Sequence, residues 1–137
     1  MKILIIDGMG GGIGKSVIER LRQDTEGHSL LAVGTNAIAT SAMLKAGADQ
    51  SATGENAIIY NSGRVDLIIG TIGIMLANSM LGEISPGIAN AVSQSEAVKI
   101  LIPTSQCNAF VAGVKEQSTT QYIEEIPRMI KKLETNL

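Results

Sequence analysis

The chain has 137 residues, with 11 Lys plus Arg against 13 Asp plus Glu and a formal charge of -2. This length predicts one domain, residues 1–137, that buries a core without help from disulfides or a metal. The nearly balanced charge, without a basic run, argues against nucleic acid or an anionic membrane surface as a partner.

The cysteine content and a long uncharged run of residues indicate the cellular compartment of the protein. Cys107 is the single cysteine, so an intramolecular disulfide is excluded, and the apolar start of the chain lacks the cleavage pattern of a signal peptide. We therefore expect a cytoplasmic protein. A long uncharged run, residues 67–82, is shorter than the roughly 20 residues of a membrane span. It is interpreted as a buried strand followed by a loop.

Short apolar runs, continuous rather than alternating, predict strands that are covered on both faces of a parallel sheet. These runs are residues 3–6, 30–33, 67–69 and 100–102, with a weaker strand at 48–52 and a further short strand at 109–112.

Apolar residues at helical spacing predict helices between the strands. The first predicted helix begins near Ile13, the second covers residues 37–46 and the third covers 55–61. A fourth begins at Ser85-Pro86. The last is an amphipathic helix over residues 122–133, in which Pro127 must cause a kink or a restart. Strands that alternate with helices predict an α/β fold. We expect a single doubly wound, mostly parallel sheet with helices on both faces, of Rossmann-like type.

The first predicted strand runs directly into a glycine-rich turn and then a helix, and residues 7–16 read Asp-Gly-Met-Gly-Gly-Gly-Ile-Gly-Lys-Ser. Glycines let the backbone approach a phosphate closely, and the N–H groups and dipole of the helix start attract the anion. The alternative is a tight turn that binds no ligand. The predicted phosphate-binding residues are Gly8, Gly10, Gly11, Gly12, Ile13, Gly14 and Lys15.

Two familiar patterns fit this turn in part. The dinucleotide pattern G-x-G-x-x-G fits Gly8 and Gly10, but Ile13 stands at the place of its third glycine. The phosphate-loop pattern G-x-x-x-x-G-K-[ST] has Met9 at the place of its first glycine.

A third pattern, G-x-x-x-G-I-G, is complete at Gly8, Gly12, Ile13 and Gly14. Here the segment resembles the cofactor turn of the short-chain dehydrogenases, in which a basic residue at the place of Lys15 is common. The resemblance implies a nucleotide or an NAD(P)-like cofactor. The Tyr-x-x-x-Lys pair of that family does not occur in this sequence.

Taken whole, the chain resembles a small uncharacterised bacterial family described only as a domain of unknown function. The resemblance lies in residues 33–40, 43–49, 53–58 and 70–83. It implies no activity, so the functional hypotheses depend on the residues of the site.

In open α/β sheets, ligands bind beyond the carboxyl ends of the strands. The loops at that edge carry hydroxyls and amides suited to hydrogen-bonding a sugar, a base or a carboxylate. Thr35 and Asn36 stand where an NAD site has an acidic residue, and helix capping is an equally good interpretation of Thr35, Asn36 and Thr53. The predicted ligand-binding residues of these loops are Thr35, Asn36, Thr53, Asn56, Thr71, Ser105 and Asn108.

Candidate catalytic residues are few. Asp7 ends the first strand and could act as a base, Glu55 is a second carboxylate at the same edge, and Cys107 follows the last strand. His28 precedes the second strand, so we expect it on the surface at the opposite edge. The sequence shows no metal-ligand pattern.

The first hypothesis is a nucleotide-binding protein that holds a phosphate-bearing ligand at the glycine turn, with no prediction about catalysis. One alternative is a non-catalytic homo-oligomeric sensor or assembly subunit that associates through the apolar residues 72–81. The other is a metal-assisted phosphoryl-transfer enzyme that uses Asp7 and Lys15. A homo-oligomer is expected because residues 72–81 carry more apolar side chains than a small sheet needs to cover.

Overall fold

A computed structural model of the chain describes residues 1–24, 27–104 and 108–136. Five parallel strands form one sheet in the order β3-β2-β1-β4-β5. The strands are β1 (Lys2–Asp7), β2 (Ser29–Gly34), β3 (Gln50–Thr53), β4 (Leu67–Thr71) and β5 (Val98–Ile102). This arrangement confirms the predicted α/β fold with a parallel sheet.

Five α-helices alternate with the strands along the described parts of the chain. They are α1 (Gly12–Asp24), α2 (Ala37–Lys45), α3 (Glu55–Ser62), α4 (Pro86–Gln94) and α5 (Thr119–Thr135). Two short 3-10 turns, Ile72–Met75 and Met80–Gly82, lie in the loop between β4 and α4.

The central strands are buried on both faces because successive side chains of a strand point to opposite sides. Ile3 and Ile5 of β1 pack with α1, α2 and α5, whereas Leu4 and Ile6 pack with α3 and α4. The sheet is therefore doubly wound. This explains why the strands read as continuous apolar runs.

Capping residues set the starts of three helices. The Asn36 side chain accepts the Ala39 N–H at the start of α2, so the capping interpretation of Asn36 is confirmed. Ser85 caps α4, with a proline at the first helical position as predicted. Ser118 forms a capping box with Gln121 at the start of α5.

Of three predictions about elements, two need correction and one is narrowed to a single alternative. The segment at 109–112 is not a strand, because it is mostly exposed and pairs with no strand of the described sheet. The third strand is Gln50–Thr53 rather than residues 48–52. Pro127 lies inside one helix, so α5 does not restart there. Across the parts of the chain that the structure covers, no helix has both the length and the apolar character needed to cross a membrane.

Candidate functional site

A cavity of about 290 Å³ lies at the carboxyl edge of the sheet, beside the crevice between β1 and β4. The chain leaves β1 toward β2 on one side and returns to β4 on the other, and ligands bind at such switch points in open α/β sheets. The glycine turn forms one wall and the loop after β4 forms the other. The lining residues are Asp7, Gly8, Met9, Gly10, Gly11, Gly12, Ile13, Thr71, Gly73, Ser79, Met80, Leu81 and Thr104.

Asp7 anchors the turn from the last position of β1. One carboxylate oxygen accepts the Gly8 N–H at 2.8 Å and the other accepts the Gly14 N–H at 2.7 Å. Burial raises the pKa of Asp7 above its ordinary value of 3.8, although these backbone hydrogen bonds act in the opposite direction, and the nearby charge of Glu83 raises the pKa further. Asp7 thus has a built-in structural role in addition to its position on the cavity wall.

The glycines of the turn fall into two groups. Gly11 has a φ of +74°, and a Cβ on it would lie 2.7 Å from the Ala39 Cα. A Cβ on Gly14 would lie 2.5 Å from the Met43 Sδ. Both are needed for the close packing of α1 against α2, which is a structural reason for glycine.

Gly10 and Gly12 have no such structural reason. A Cβ on either would meet no atom within 4 Å, and neither residue has a φ in the left-handed region. Both line the cavity. Their backbone N–H groups have no protein acceptor among the described residues, since Gly11 donates to Gly8 and the next bond runs from Lys15 to Gly11. Two backbone donors at the start of α1 are therefore available to a ligand.

Thr71 ends β4 on the opposite wall of the cavity and is 4% exposed. Its Oγ1 is fully buried, yet it has no hydrogen-bond partner within the described parts of the chain. Buried hydroxyls are normally satisfied, because an unpaired one costs about 1–3 kcal/mol. This hydroxyl is a polar group that a ligand in the cavity could satisfy.

Glu83 was not predicted as a site residue, although the structure places it at the glycine turn. Its Oε1 accepts hydrogen bonds from the Thr35 hydroxyl at 2.5 Å and from the Asn36 amide at 2.8 Å. Both carboxylate oxygens lie 3.2 Å from the Met9 N. The hydrogen bond from Thr35 is the main reason why the pKa of Glu83 is lowered from 4.5. No local signal points to this residue, because its partners are distant in sequence.

Several other predicted residues lie outside the cavity. Thr35 and Asn36 contact Glu83, and the Thr53 hydroxyl donates to Thr40 at 2.7 Å. Lys15 is exposed on α1 and lies 4.0 Å from Glu19.

The remaining candidates are also dispersed. Glu55 accepts a hydrogen bond from the Ser85 hydroxyl at 2.7 Å, Asn56 is exposed on α3, and Asn108 is exposed with a φ of +57°. Ser105 and Cys107 lie outside the described residues.

His28 differs from the prediction of a surface residue. It does lie at the opposite edge, before β2, but its side chain is only 8% exposed. The ring lies between the N-terminal amine, at 3.0 Å, and Glu134, also at 3.0 Å. Among the described residues, no three or more His, Cys, Asp or Glu side chains form a group that could hold a metal ion.

The fold and the position of the cavity define a doubly wound α/β protein with a candidate ligand site at its switch point. The chain belongs to the family described as domain of unknown function DUF3842, whose model matches residues 2–135. This agrees with the resemblance found in the sequence. No curated protein sequence matches the chain.

The solved structures that are similar to this fold include the following two. One is a dodecameric FMN-dependent UbiX-like decarboxylase from Escherichia coli O157:H7, with 17% identity and a TM-score of 0.48 over 96% of this chain and 75% of that chain. The other is AibC, with 16% identity and a TM-score of 0.51 over 95% of this chain and 38% of that chain. The chain therefore spans well under half of AibC. At this level of identity, the likeness to AibC shows the fold.

Proposed function

We propose that the protein binds a small phosphate-bearing ligand, such as a nucleotide, at the glycine turn of residues 8–14. The phosphate would accept hydrogen bonds from the free N–H groups of Gly10 and Gly12 at the positive end of the α1 dipole.

The observation that carries this proposal is the buried hydroxyl of Thr71 on the wall opposite the turn, which has no hydrogen-bond partner among the residues that the structure describes. A turn that serves only chain geometry would explain neither this hydroxyl nor the open space beside Gly10 and Gly12. A ligand between the two walls would explain all three, because it would satisfy the hydroxyl and need the space that side chains would fill.

A thermal-shift panel of NAD, NADP, ATP, GTP and glucose 6-phosphate tests the proposal directly. A ligand that binds only the folded state raises the melting temperature, and the rise grows with the logarithm of its concentration once that exceeds the Kd. We expect at least one member of the panel to raise it. A panel without any shift, repeated by calorimetry with the same compounds, would contradict the proposal.

Thr71→Val separates a ligand site from a structural role. It removes a hydroxyl that has no partner in the described parts of the chain, so we expect the free protein to become more stable by about 1 kcal/mol while the affinity for the best ligand of the panel falls. The same change at Thr40 is the matched control. The Thr40 hydroxyl accepts from the Thr53 hydroxyl and the Gly34 N–H and donates toward the carbonyls of Asn36 and Ala52.

Thr40→Val should therefore destabilise the protein in urea denaturation and leave the affinity of the folded fraction unchanged. Loss of stability in Thr71→Val together with unchanged affinity would show that Thr71 serves the fold and not a ligand.

We also propose that the protein is a homo-oligomer. The large exposed apolar side chains beside the cavity, above all Leu81, support this proposal.

A further inference from the structure

We propose that the site accepts a mononucleotide and rejects a dinucleotide, because Glu83 closes the side of the glycine turn that faces β2. This inference rests on the proposed function, since it specifies the ligand of the same cavity.

Glu83 closes that side by joining three segments. Its carboxylate accepts from the Met9 N–H in the turn and from Thr35 and Asn36 at the end of β2. The Asn36 amide also donates to the Met9 carbonyl at 3.0 Å. The turn, the end of β2 and the loop before α4 are thus held together by hydrogen bonds.

This contact fills the space that a dinucleotide needs. In dinucleotide-binding folds the pyrophosphate lies on the turn, and one ribose reaches an acidic residue beyond the second strand. Here a Cβ on Gly8 would lie 2.8 Å from the Thr35 Oγ1 and 3.3 Å from the Glu83 Oε1. Among the described residues, none from the end of β2 lines the cavity.

The carboxylate itself is unsuited to hold a ribose on this side. Three donors already converge on it, from Met9, Thr35 and Asn36. Its negative charge lies beside the turn and would repel a second phosphate placed between them. Both the filled volume and the charge therefore oppose a ligand that extends toward β2.

The opposite side of the turn is open toward β4. There the cavity is lined by the hydroxyl-bearing residues Thr71, Ser79 and Thr104, and by the apolar side chains of Met9 and Met80. One phosphate on the turn, sugar hydroxyls near the threonines and a base against the methionines would use these groups. The volume of about 290 Å³ suits a ligand of this size better than one twice as long.

Isothermal titration calorimetry with matched pairs of probes tests the inference. AMP and nicotinamide mononucleotide are compared with NAD, which contains both, and FMN is compared with FAD. We expect at least one mononucleotide to bind about tenfold or more tightly than the dinucleotide that contains it, a difference of about 1.4 kcal/mol. Dinucleotides that bind as tightly as their halves would overturn the inference and leave the proposed function intact.

Glu83→Ala tests the residue itself, with Glu96→Ala as the matched control. Glu96 is an exposed carboxylate before β5, at the opposite edge of the sheet, and its loss changes the net charge equally. We expect Glu83→Ala to reduce the preference for the mononucleotide by about tenfold, and Glu83→Gln, which keeps the volume, to reduce it less. Glu96→Ala should keep the wild-type preference.

An unchanged preference in a folded Glu83→Ala protein would overturn the role of Glu83. If neither mononucleotides nor dinucleotides bind the wild-type protein, the proposed function itself fails, and this result is distinct from the loss of preference.

Discussion

The pKa values of the two carboxylates beside the glycine turn, Asp7 and Glu83, are shifted in opposite directions because their surroundings differ. Asp7 is 6% exposed, so desolvation outweighs its hydrogen bonds to the backbone and raises its pKa. Glu83 is less buried and accepts from a hydroxyl, an amide and a backbone N–H, so its pKa is lowered. Burial therefore disfavours the charged form of Asp7, whereas hydrogen bonds favour the charged form of Glu83.

A titration followed by carbon NMR of the carboxyl groups measures this contrast. We expect the midpoint of Asp7 to lie above 3.8 and that of Asp49 to lie below it, because the Leu30 N–H and then Arg22 stabilise the charged form of Asp49. Asp49 serves as the internal control in the same spectra. A midpoint for Asp7 at or below that of Asp49 would contradict the role given to burial.

The raised pKa of Asp7 also predicts how stability depends on pH. Between 3.8 and the raised value the folded protein binds more protons than the unfolded chain, so the contribution of Asp7 to stability is lost as pH rises through that interval. In urea denaturation, the free energy of unfolding of the wild type should therefore fall relative to that of Asp7→Asn as the pH rises from about 4. The lowered pKa values of Glu83 and Asp49 act in the opposite direction, and both proteins keep these residues.

At the scale of elements, the turn between β1 and α1 combines structural glycines with glycines that the fold does not require. Gly11 and Gly14 allow α2 to approach α1 closely, through Ala39 and Met43. Gly12 begins α1 with free space beside it. One short segment thus serves helix packing on one side and the cavity on the other.

Substitutions at these glycines should separate the two roles. Gly11→Ala should lower the free energy of unfolding by about 1–3 kcal/mol, because the added Cβ meets the Ala39 backbone at a left-handed φ. Gly12→Val should change stability by less than about 1 kcal/mol and remove ligand binding, since its side chain would occupy the phosphate position. Urea denaturation and calorimetry measure the two effects.

Gly63→Ala and Gly12→Ala form a matched pair that separates an effect of position from the general effect of replacing a glycine. Gly63 ends α3 and also has open space around its Cα. Gly63→Ala should leave ligand affinity unchanged. A folded Gly12→Val protein with wild-type affinity would disprove the phosphate turn.

At the scale of the whole molecule, the apolar stretch at 72–81 is divided between core and surface. Ile74 is fully buried in the layer with α3 and α4, and Met75 and Met80 pack partly against it. Leu81 is 94% exposed at the rim of the cavity. Most of the apolar side chains of residues 72–81 therefore complete the core. Leu81 is the large one that remains exposed for contact with another subunit.

Sedimentation velocity at micromolar concentration tests association. We expect the wild-type protein to sediment as a dimer or larger species and Leu81→Ser to shift it toward the monomer, because a contact there would bury an apolar side chain. Phe110→Ser is the matched control, since Phe110 is 82% exposed but lies outside residues 72–81. A monomeric wild-type protein would refute the predicted oligomer, and equal effects of both variants would refute the contact at Leu81.

The sequence by itself determined the fold class and the position of the glycine turn. Continuous apolar strands and helical spacing are local signals, and they were sufficient because a strand covered on both faces must read as apolar throughout. They were insufficient at 109–112, where an apolar run stays exposed without a partner strand.

Only the tertiary structure decided which residues form the candidate site. It brought Glu83 to Met9 across 74 positions of the chain and placed Lys15 away from the cavity. It also buried the Thr71 hydroxyl where no other described residue pairs with it. It also separated the packed glycines from the open ones. The physical reason is that partners, burial and free space depend on contacts between distant segments, which the local pattern of a sequence does not specify.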